Sequence, residues 1–407
     1  MTRPFLIFLF VLLLPASACA DRADRALLTQ AFTHAGISQG ESRAKAELLD
    51  EMIDKIVEVY VEAKDAHLLA DAAAKALAEI KEPPTPDAAF KAAAAALTAQ
   101  LDAHTAYLSP ADMDDMRASF TGQFGGVGME LTMRDDQVVV VAPIDDTPAA
   151  RAGIKIDDHI VKVDGQPTTG LSLMQVVARI RGKVGTTVRL TLQDTAGAVR
   201  EVGLRREIIH LRPVRSHLEG GDVAYVRITQ FAGGTAHAVK AALVELDRQA
   251  AGRLKGIVLD LRRNPGGLLD QGIAVADLFL NDVPIVSTAG RRPGDSQTYN
   301  GRTGEIFATL PIAVLIDGGS ASASEIVAGA LKDNGRATLV GQKSYGKGSV
   351  QTILSLSEGG MRVTTSHYLR PSRTPVDKVG ITPDVAQDPV EGSDNQLTEA
   401  LKLLRAR

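Results

Sequence analysis

Two short segments of this chain carry residue types that could do chemistry together. One is Gly318-Gly319-Ser320-Ala321-Ser322-Ala323-Ser324-Glu325; the other is Ser344-Tyr345-Gly346-Lys347-Gly348-Ser349-Val350-Gln351. A serine hydroxyl becomes a useful nucleophile when a neighbouring base takes its proton. A lysine has an ordinary pKa near 10.4. It can serve as that base at neutral pH when apolar burial lowers it toward the working range. Small residues let the first segment turn sharply between a strand and a helix. A hydroxyl there faces free N–H groups and the positive end of the helix. On residue types alone the nucleophile stays open among Ser320, Ser322 and Ser324. A serine N-cap supported by Glu325 accounts for the same string, and an exposed turn lysine accounts for Lys347.

A third string, Asn264-Pro265-Gly266-Gly267, ends another expected strand. Its glycines let backbone N–H groups approach a carbonyl closely. Together with the N–H of Ala323, that of Gly266 or Gly267 could form an oxyanion hole; taken alone, the string is also an ordinary turn. The eight histidines form neither a nucleophile elbow nor a metal-spaced pair. His367 is the only one downstream of the serine segment and reads as structural. No His/Cys/Asp cluster supports a metal, and no cofactor is implied. A fourth string, Phe124-Gly125-Gly126-Val127-Gly128-Met129-Glu130-Leu131, is a Gly-rich turn entering a strand. It could offer N–H groups to a terminal carboxylate while the strand edge pairs with an extended peptide; a plain hairpin entry reads the same way.

These strings need elements to hold them. Residues 25–105 read as helices, with Leu48, Leu49, Met52, Ile53, Ile56 and Val57 at helical spacing and a break at Pro83, Pro84 and Pro86. This region reads as a packing layer without a catalytic role. From about 121 short strands dominate: Gln137 to Val141, Ile160 to Val163 closed by Asp164-Gly165, and Thr187 to Leu192, with one helix over Ser172 to Ile180. After 206 apolar strands (Gly256 to Leu261, Ile312 to Ile316, Ala337 to Val340) alternate with helices. That alternation implies buried, largely parallel strands with the chemistry at their carboxyl ends.

Composition narrows the function classes. The chain has 407 residues, 45% of them hydrophobic, enough for two or three domains. A net charge of −4, no Trp and 4% aromatics offer neither a basic footprint nor stacking platforms for nucleic acid. Arg3, the apolar run Phe5 to Leu14, Pro15 and Ala16-Ser17-Ala18-Cys19-Ala20 have the order of a secretory signal. Cys19, the single cysteine, excludes an internal disulfide. It could also be a lipidation site, although Ala16 stands where lipoprotein signals usually carry Leu.

Taken together and in order, the strings from about Leu101 to Val385 resemble the C-terminal processing, or tail-specific, serine peptidases that carry a PDZ domain. The resemblance rests on the PDZ string, Asp260-Leu261-Arg262-Arg263-Asn264-Pro265-Gly266-Gly267-Leu268-Leu269, the serine segment and Tyr345-Gly346-Lys347-Gly348-Ser349-Val350-Gln351. It implies an α/β fold: a ClpP/crotonase-like core, an inserted β-rich PDZ domain and a helical N-terminal region. The implied boundaries are a signal peptide at 1–20, helices at 21–120, PDZ at 121–205, a Ser-Lys core at 206–390 and a helical tail at 391–407. It implies Ser322 as nucleophile, Lys347 as general base and Gln351 as the residue orienting the lysine. Gly266, Gly267 and Ala323 become oxyanion-hole segments. Gly125, Gly126, Val127, Gly128, Met129 and Leu131 become the peptide-binding loop and groove. The expected partners are protein or peptide substrates with apolar C-termini, with room for an adaptor or activator and a homo-oligomer, in the bacterial periplasm and with a lipid anchor at Cys19 as the variant. Asp157 stands where the PDZ turn commonly has Gly, Tyr345 replaces Phe, and Ala103 replaces Pro in a Leu-Asp-Pro-His-like string. A non-catalytic PDZ scaffold and a crotonase-like acyl-transfer enzyme are the competing readings; the intact Ser, Lys and Gln oppose the first, the PDZ string and signal the second.

Overall fold

The computed structural model of the chain describes residues 17–121, 123–134, 136–144, 146–210, 213–292, 294 and 296–406. Most of the expected export signal therefore lies outside the described residues, and the first helix begins inside its cleavage region, at Ser17.

Four helices open the chain: α1 (Ser17–His34), α2 (Gln39–Val59), α3 (Ala66–Ala78) and α4 (Pro86–Thr98). Asp65 caps α3 through the His67 N–H and Thr85 caps α4 through the Ala88 N–H, with Pro86 at the first helical position. Their apolar stripes meet in one cluster built on Phe32, Leu49, Met52, Ile53, Leu77 and Leu97. A short strand, β1 (Ala106–Leu108), a helix, α5 (Pro110–Thr121), and β2 (Gln123–Gly126) lead into the next module.

That module contains β3 (Met129–Arg134), β4 (Gln137–Pro143), α6 (Pro148–Arg151), β5 (His159–Val163), β6 (Gln166–Pro167), α7 (Leu173–Ile180), β7 (Thr187–Gln193) and β8 (Val199–Arg205). Its sheet runs β3-β4-β5-β7-β8, so β3 is an edge strand. Ser172 and Gln175 form a reciprocal capping box that starts α7. Asp157 does take up the left-handed conformation, at φ +64°. β9 (Glu207–His210) then pairs back with β2 and closes the neck of the module.

The remaining chain forms β10 (Val214–Glu219), β11 (Val223–Ile228), α8 (Thr235–Gln249), β12 (Gly256–Asp260), α9 (Leu269–Asp277), β13 (Pro284–Gly290), β14 (Gln297–Asn300), β15 (Ile312–Ile316), α10 (Ala323–Asp333), β16 (Ala337–Gly341), β17 (Ser349–Ser355), β18 (Gly360–Leu369), β19 (Val385–Ala386) and α11 (Asn395–Arg405). The main sheet runs β10-β11-β12-β15-β16-β19 and is parallel from β11 onward. Every residue of β12 and β15 is buried, as strands covered on both faces must be. Alternation sorts their side chains: Ile257, Leu259, Ile312 and Val314 pack under α8, α9 and α10, while Val258, Ala313 and Leu315 meet Ala400 and Leu404 of α11. Each buried aliphatic side chain is worth about 1.5–3 kcal/mol.

A second sheet carries β18 at its centre. β17 pairs along one edge of it, and β1 and β13 share the other. Met361 and Val363 of β18 belong to the cluster of the N-terminal helices. The helical layer is thus fastened to the strand hairpin that follows Lys347.

Candidate active site

The serine segment joins β15 to α10 at the carboxyl end of the main sheet. Its three serines have different fates. Ser320 and Ser324 are fully buried, and their hydroxyls donate to the carbonyls of Leu261 (2.8 Å) and Asn264 (2.9 Å). Ser322 is half-buried, and its hydroxyl donates no hydrogen bond among the described residues, while the residue forms a capping box with Glu325 at the start of α10. Its backbone sits at φ +55°, ψ −115°, a conformation that costs a non-glycine residue roughly 1–3 kcal/mol. Surrounding bonds hold it there. Asn264 O accepts from the Ala321 N–H (3.0 Å), and Ser322 O accepts from the N–H groups of Glu325 and Ile326. Ser322 is therefore both the helix N-cap residue and the only serine of the three with a hydroxyl to spare.

The Asn-Pro-Gly-Gly turn lies directly against it. A Cβ on Gly266 would meet Ser322 Cβ at 2.8 Å and Ala323 N at 2.9 Å; one on Gly267 would meet Phe231 O at 2.1 Å. Both positions also have positive φ, +98° and +141°, so glycine is required twice over. The buried Asn264 side chain fixes the turn by donating to Ile228 O (2.8 Å) and accepting from the Gly266 N–H (2.9 Å). That bond commits the Gly266 N–H. The N–H groups of Gly267 and Ala323 have no partner among the described residues.

Lys347 follows Gly346 at the foot of β17 and is half-buried. No hydrogen bond or ion pair to its ammonium occurs among the described residues, and none joins it to Ser322. Burial, reinforced by the like charge of Arg362, pushes its pKa below the ordinary lysine value; Asp102 and Glu325 oppose the shift. Gln351 does not contact the lysine here. Its amide nitrogen donates to Ser349 Oγ (2.8 Å) and Thr364 Oγ1 (3.4 Å), next to a register shift in the β17–β18 pairing between Val350 and Gln351.

Four residues outside the expected set belong to this neighbourhood. Asp102 accepts from the N–H groups of His104 (2.6 Å) and Thr105 (2.8 Å) and from the hydroxyls of Tyr60 and Thr364, which lower its pKa against its burial. His104 has its pKa lowered by burial and by the charge of Lys347. Arg362 donates to His104 O (2.7 Å). The N-terminal region is thus more than packing: the segment after α4 supplies a charge, Asp102, that acts on Lys347. The fourth, Glu325, is fully buried, and its carboxylate spans the two segments; Tyr368, also buried, donates to Lys347 O (2.6 Å) beside it.

In the β-rich module Gly126, Val127 and Gly128 are buried. A Cβ on Gly128, at φ +77°, would meet Thr147 Cβ at 2.3 Å. Val127, in the loop between β2 and β3, packs into the module's core cluster. Met129 and Leu131 are only partly buried, on the edge strand β3.

Comparison with known proteins follows this geometry. Residues 222–387 match the family model of peptidase family S41, and residues 118–193 match that of the PDZ domain. A carboxy-terminal-processing protease of Bartonella bacilliformis is 47% identical over 289 residues, covering 70% of this chain and 66% of that protein. A carboxyl-terminal-processing protease of Picosynechococcus is 38% identical over 335 residues, covering 79% of this chain and 80% of that protein. Among solved structures, a photosystem II D1 C-terminal processing protease is 30% identical, with a TM-score of 0.55 over 88% of this chain and 97% of that one.

Proposed function

Because this chain belongs to the carboxyl-terminal-processing proteases of peptidase family S41, serine-type peptidases with a PDZ domain, we propose that Ser322 is its nucleophile and Lys347 its general base. Ser322 Oγ attacks the scissile carbonyl as neutral Lys347 takes the hydroxyl proton. The ammonium returns that proton to the leaving amine, and Lys347 then activates the water that releases the acyl group. The oxyanion is held by the N–H groups of Ala323 and Gly267. Gly267 is preferred over Gly266 because Asn264 already accepts from the Gly266 N–H. Gln351 completes the site once the lysine turns toward Ser322, since catalytic hydrogen bonds commonly tighten only with substrate bound.

The observation that carries this reading is the contrast among the three serines: two hydroxyls donate their protons to buried carbonyls, and the third, at the N-terminus of α10, donates to none. The PDZ module then supplies the substrate. The buried Gly126-Val127-Gly128 turn would receive a terminal carboxylate on its N–H groups, and the free edge of β3 would pair with the tail, with Met129 and Leu131 beneath its apolar residues. The order of charge, apolar run and small residues at 1–20 favours export, with Cys19 as a lipid-anchor candidate.

The test is cleavage of an unstructured reporter ending in apolar residues, beside the same reporter with an amidated C-terminus. Wild type should cut the free-ended reporter preferentially, while S322A and K347A should cut neither. Full activity in K347A would return the base to a histidine, with His104 the first to examine. Equal cutting of both reporters would remove the carboxylate-capture role and keep the peptidase.

A further inference from the structure

Glu325 looks at first like a capping residue, because its Oε2 accepts from the Ser322 N–H at 2.8 Å. The rest of its carboxylate is not occupied with its own helix. Oε2 also accepts from the Lys347 N–H (2.9 Å); Oε1 accepts from the Gly346 N–H (2.7 Å) and from Ser344 Oγ (2.6 Å). Ser344 Oγ in turn accepts from the Ile381 N–H at 2.7 Å, so its own proton is committed to Glu325. Two oxygens thus meet four donors within 2.9 Å, which matches the roughly four acceptor positions of an ionised carboxylate, and the Tyr368 hydroxyl lies farther off, 3.4 Å from Oε2. The side chain is fully buried, and no lysine or arginine pairs with it among the described residues. A buried carboxylate balanced only by N–H and O–H dipoles is costly to leave unsatisfied, so the donors are held firmly where they are.

The chain around those donors is the proposed catalytic pair. The residues before and at Lys347 are tied to the residue that bears the nucleophile through one side chain. We infer that Glu325 is a positioning residue that sets the Ser322 turn against the Lys347 turn. This rests on the Ser322–Lys347 reading and adds to it the part that fixes their separation. Tyr368, which donates to Lys347 O and lies 3.2 Å from Ser322 O, braces the same junction from β18.

An acceptor-only role for Glu325 sets an ordering of variants. In E325Q the amide nitrogen would turn two donors onto a pair that already donates, although the shape is unchanged. E325D is one methylene shorter but keeps four acceptor positions. Simple packing demands E325Q above E325D; the acceptor-only role demands the reverse. With the free-ended reporter, E325Q should lose about 10²-fold in kcat with KM within about twofold of wild type, as misplacing catalytic groups does. E325D should recover part of the loss, and an acylating probe should label Ser322 more slowly in both. S344A, which removes one donor and leaves the carboxylate, should lose about tenfold in kcat with KM unchanged, and it carries the test alone should E325Q fail to fold. Tail-peptide affinity, measured with S322A and S322A/E325Q, should be equal. A kcat within threefold of wild type in E325Q or S344A, or E325Q outperforming E325D, overturns the inference. Full activity in K347A would instead overturn the underlying dyad and leave the Glu325 ordering to be read on whatever base replaces it.

Discussion

The two turns that carry the proposed site are built in opposite ways. Around Ser322 everything is close in the core and already bonded: Asn264, Ser320, Ser324 and Glu325 fix the backbone, and only the hydroxyl and two N–H groups are left open. Around Lys347 the backbone is fixed but the ammonium is not bonded. Its state is set by burial and by charges brought from elsewhere, Arg362 on one side and Asp102 and Glu325 on the other. One turn works by shape and the other by field. Shape is disrupted by a single atom in the wrong place, whereas a field is tuned by degrees.

The largest effects should therefore come from the serine side. S322A should abolish turnover, roughly 10³-fold or more, and remove labelling by an acylating probe. S320A and S324A should keep the chemistry and instead lower stability by about 0.5–1.5 kcal/mol each, because each removes one of two donors from a buried carbonyl, the Asn264 N–H remaining on Leu261 O and the Ala321 N–H on Asn264 O; denaturant unfolding separates the two outcomes. G266A places a methyl group within 2.8 Å of Ser322 Cβ and should reduce kcat roughly 10²–10³-fold with tail binding intact. If G266A is fully active, the Ser322 turn is less constrained than its contacts imply.

On the lysine side the effects should be smaller and should appear as pH shifts. The base must be neutral, so the rate rises with pH through the pKa of Lys347. Removing the like charge in R362Q lets Lys347 hold its proton more tightly, and the acidic limb of kcat/KM should move to higher pH, with several-fold lower activity at neutral pH. Removing the opposite charge in D102N should move the limb to lower pH. Shifts in the same direction would show that these residues act through structure and not through charge. The smallest effect is thermodynamic. A lysine whose pKa is lowered by folding destabilises the folded state fully below that lowered value, and the penalty vanishes above its unfolded value near 10.5. K347M should accordingly raise the melting temperature at neutral pH, and the difference from wild type should close as the pH passes 10.5.

The same contrast explains what could be read from the chain itself. The serine turn was legible because each of its parts is a local string: small residues with a following helix at 318–325 and the Asn264-Gly267 turn announce a tight, N–H-lined corner. Strand and helix placement after 206 followed from apolar runs and caps. The surroundings of Lys347 were not legible, because Tyr60, Asp102 and His104 come from more than two hundred positions upstream and no local pattern pairs them with it. Glu325 was legible as a cap and not as a bridge: one oxygen's duty follows from helix geometry, the other's from a loop brought in by tertiary folding. Val127 has a similar double reading: its place in a Gly-rich turn suggests a groove, while in the loop between β2 and β3 its side chain packs into the module's core cluster.

β18 has a consequence for how the molecule can be taken apart. Along its ten residues it is hydrogen-bonded to the N-terminal region through β1, to the core through β13 and to the lysine hairpin through β17, and Thr364 O accepts from the Val61 N–H. A fragment limited to the segment matching the peptidase family, 222–387, would bare a length of strand edge at 360–362 and the apolar side chains of Met361 and Val363. An open edge beside exposed apolar surface is a template for self-association. Trimming this chain to its catalytic segment should therefore give insoluble protein, and in the whole chain the amides of β18 should be among the last to exchange with deuterated water.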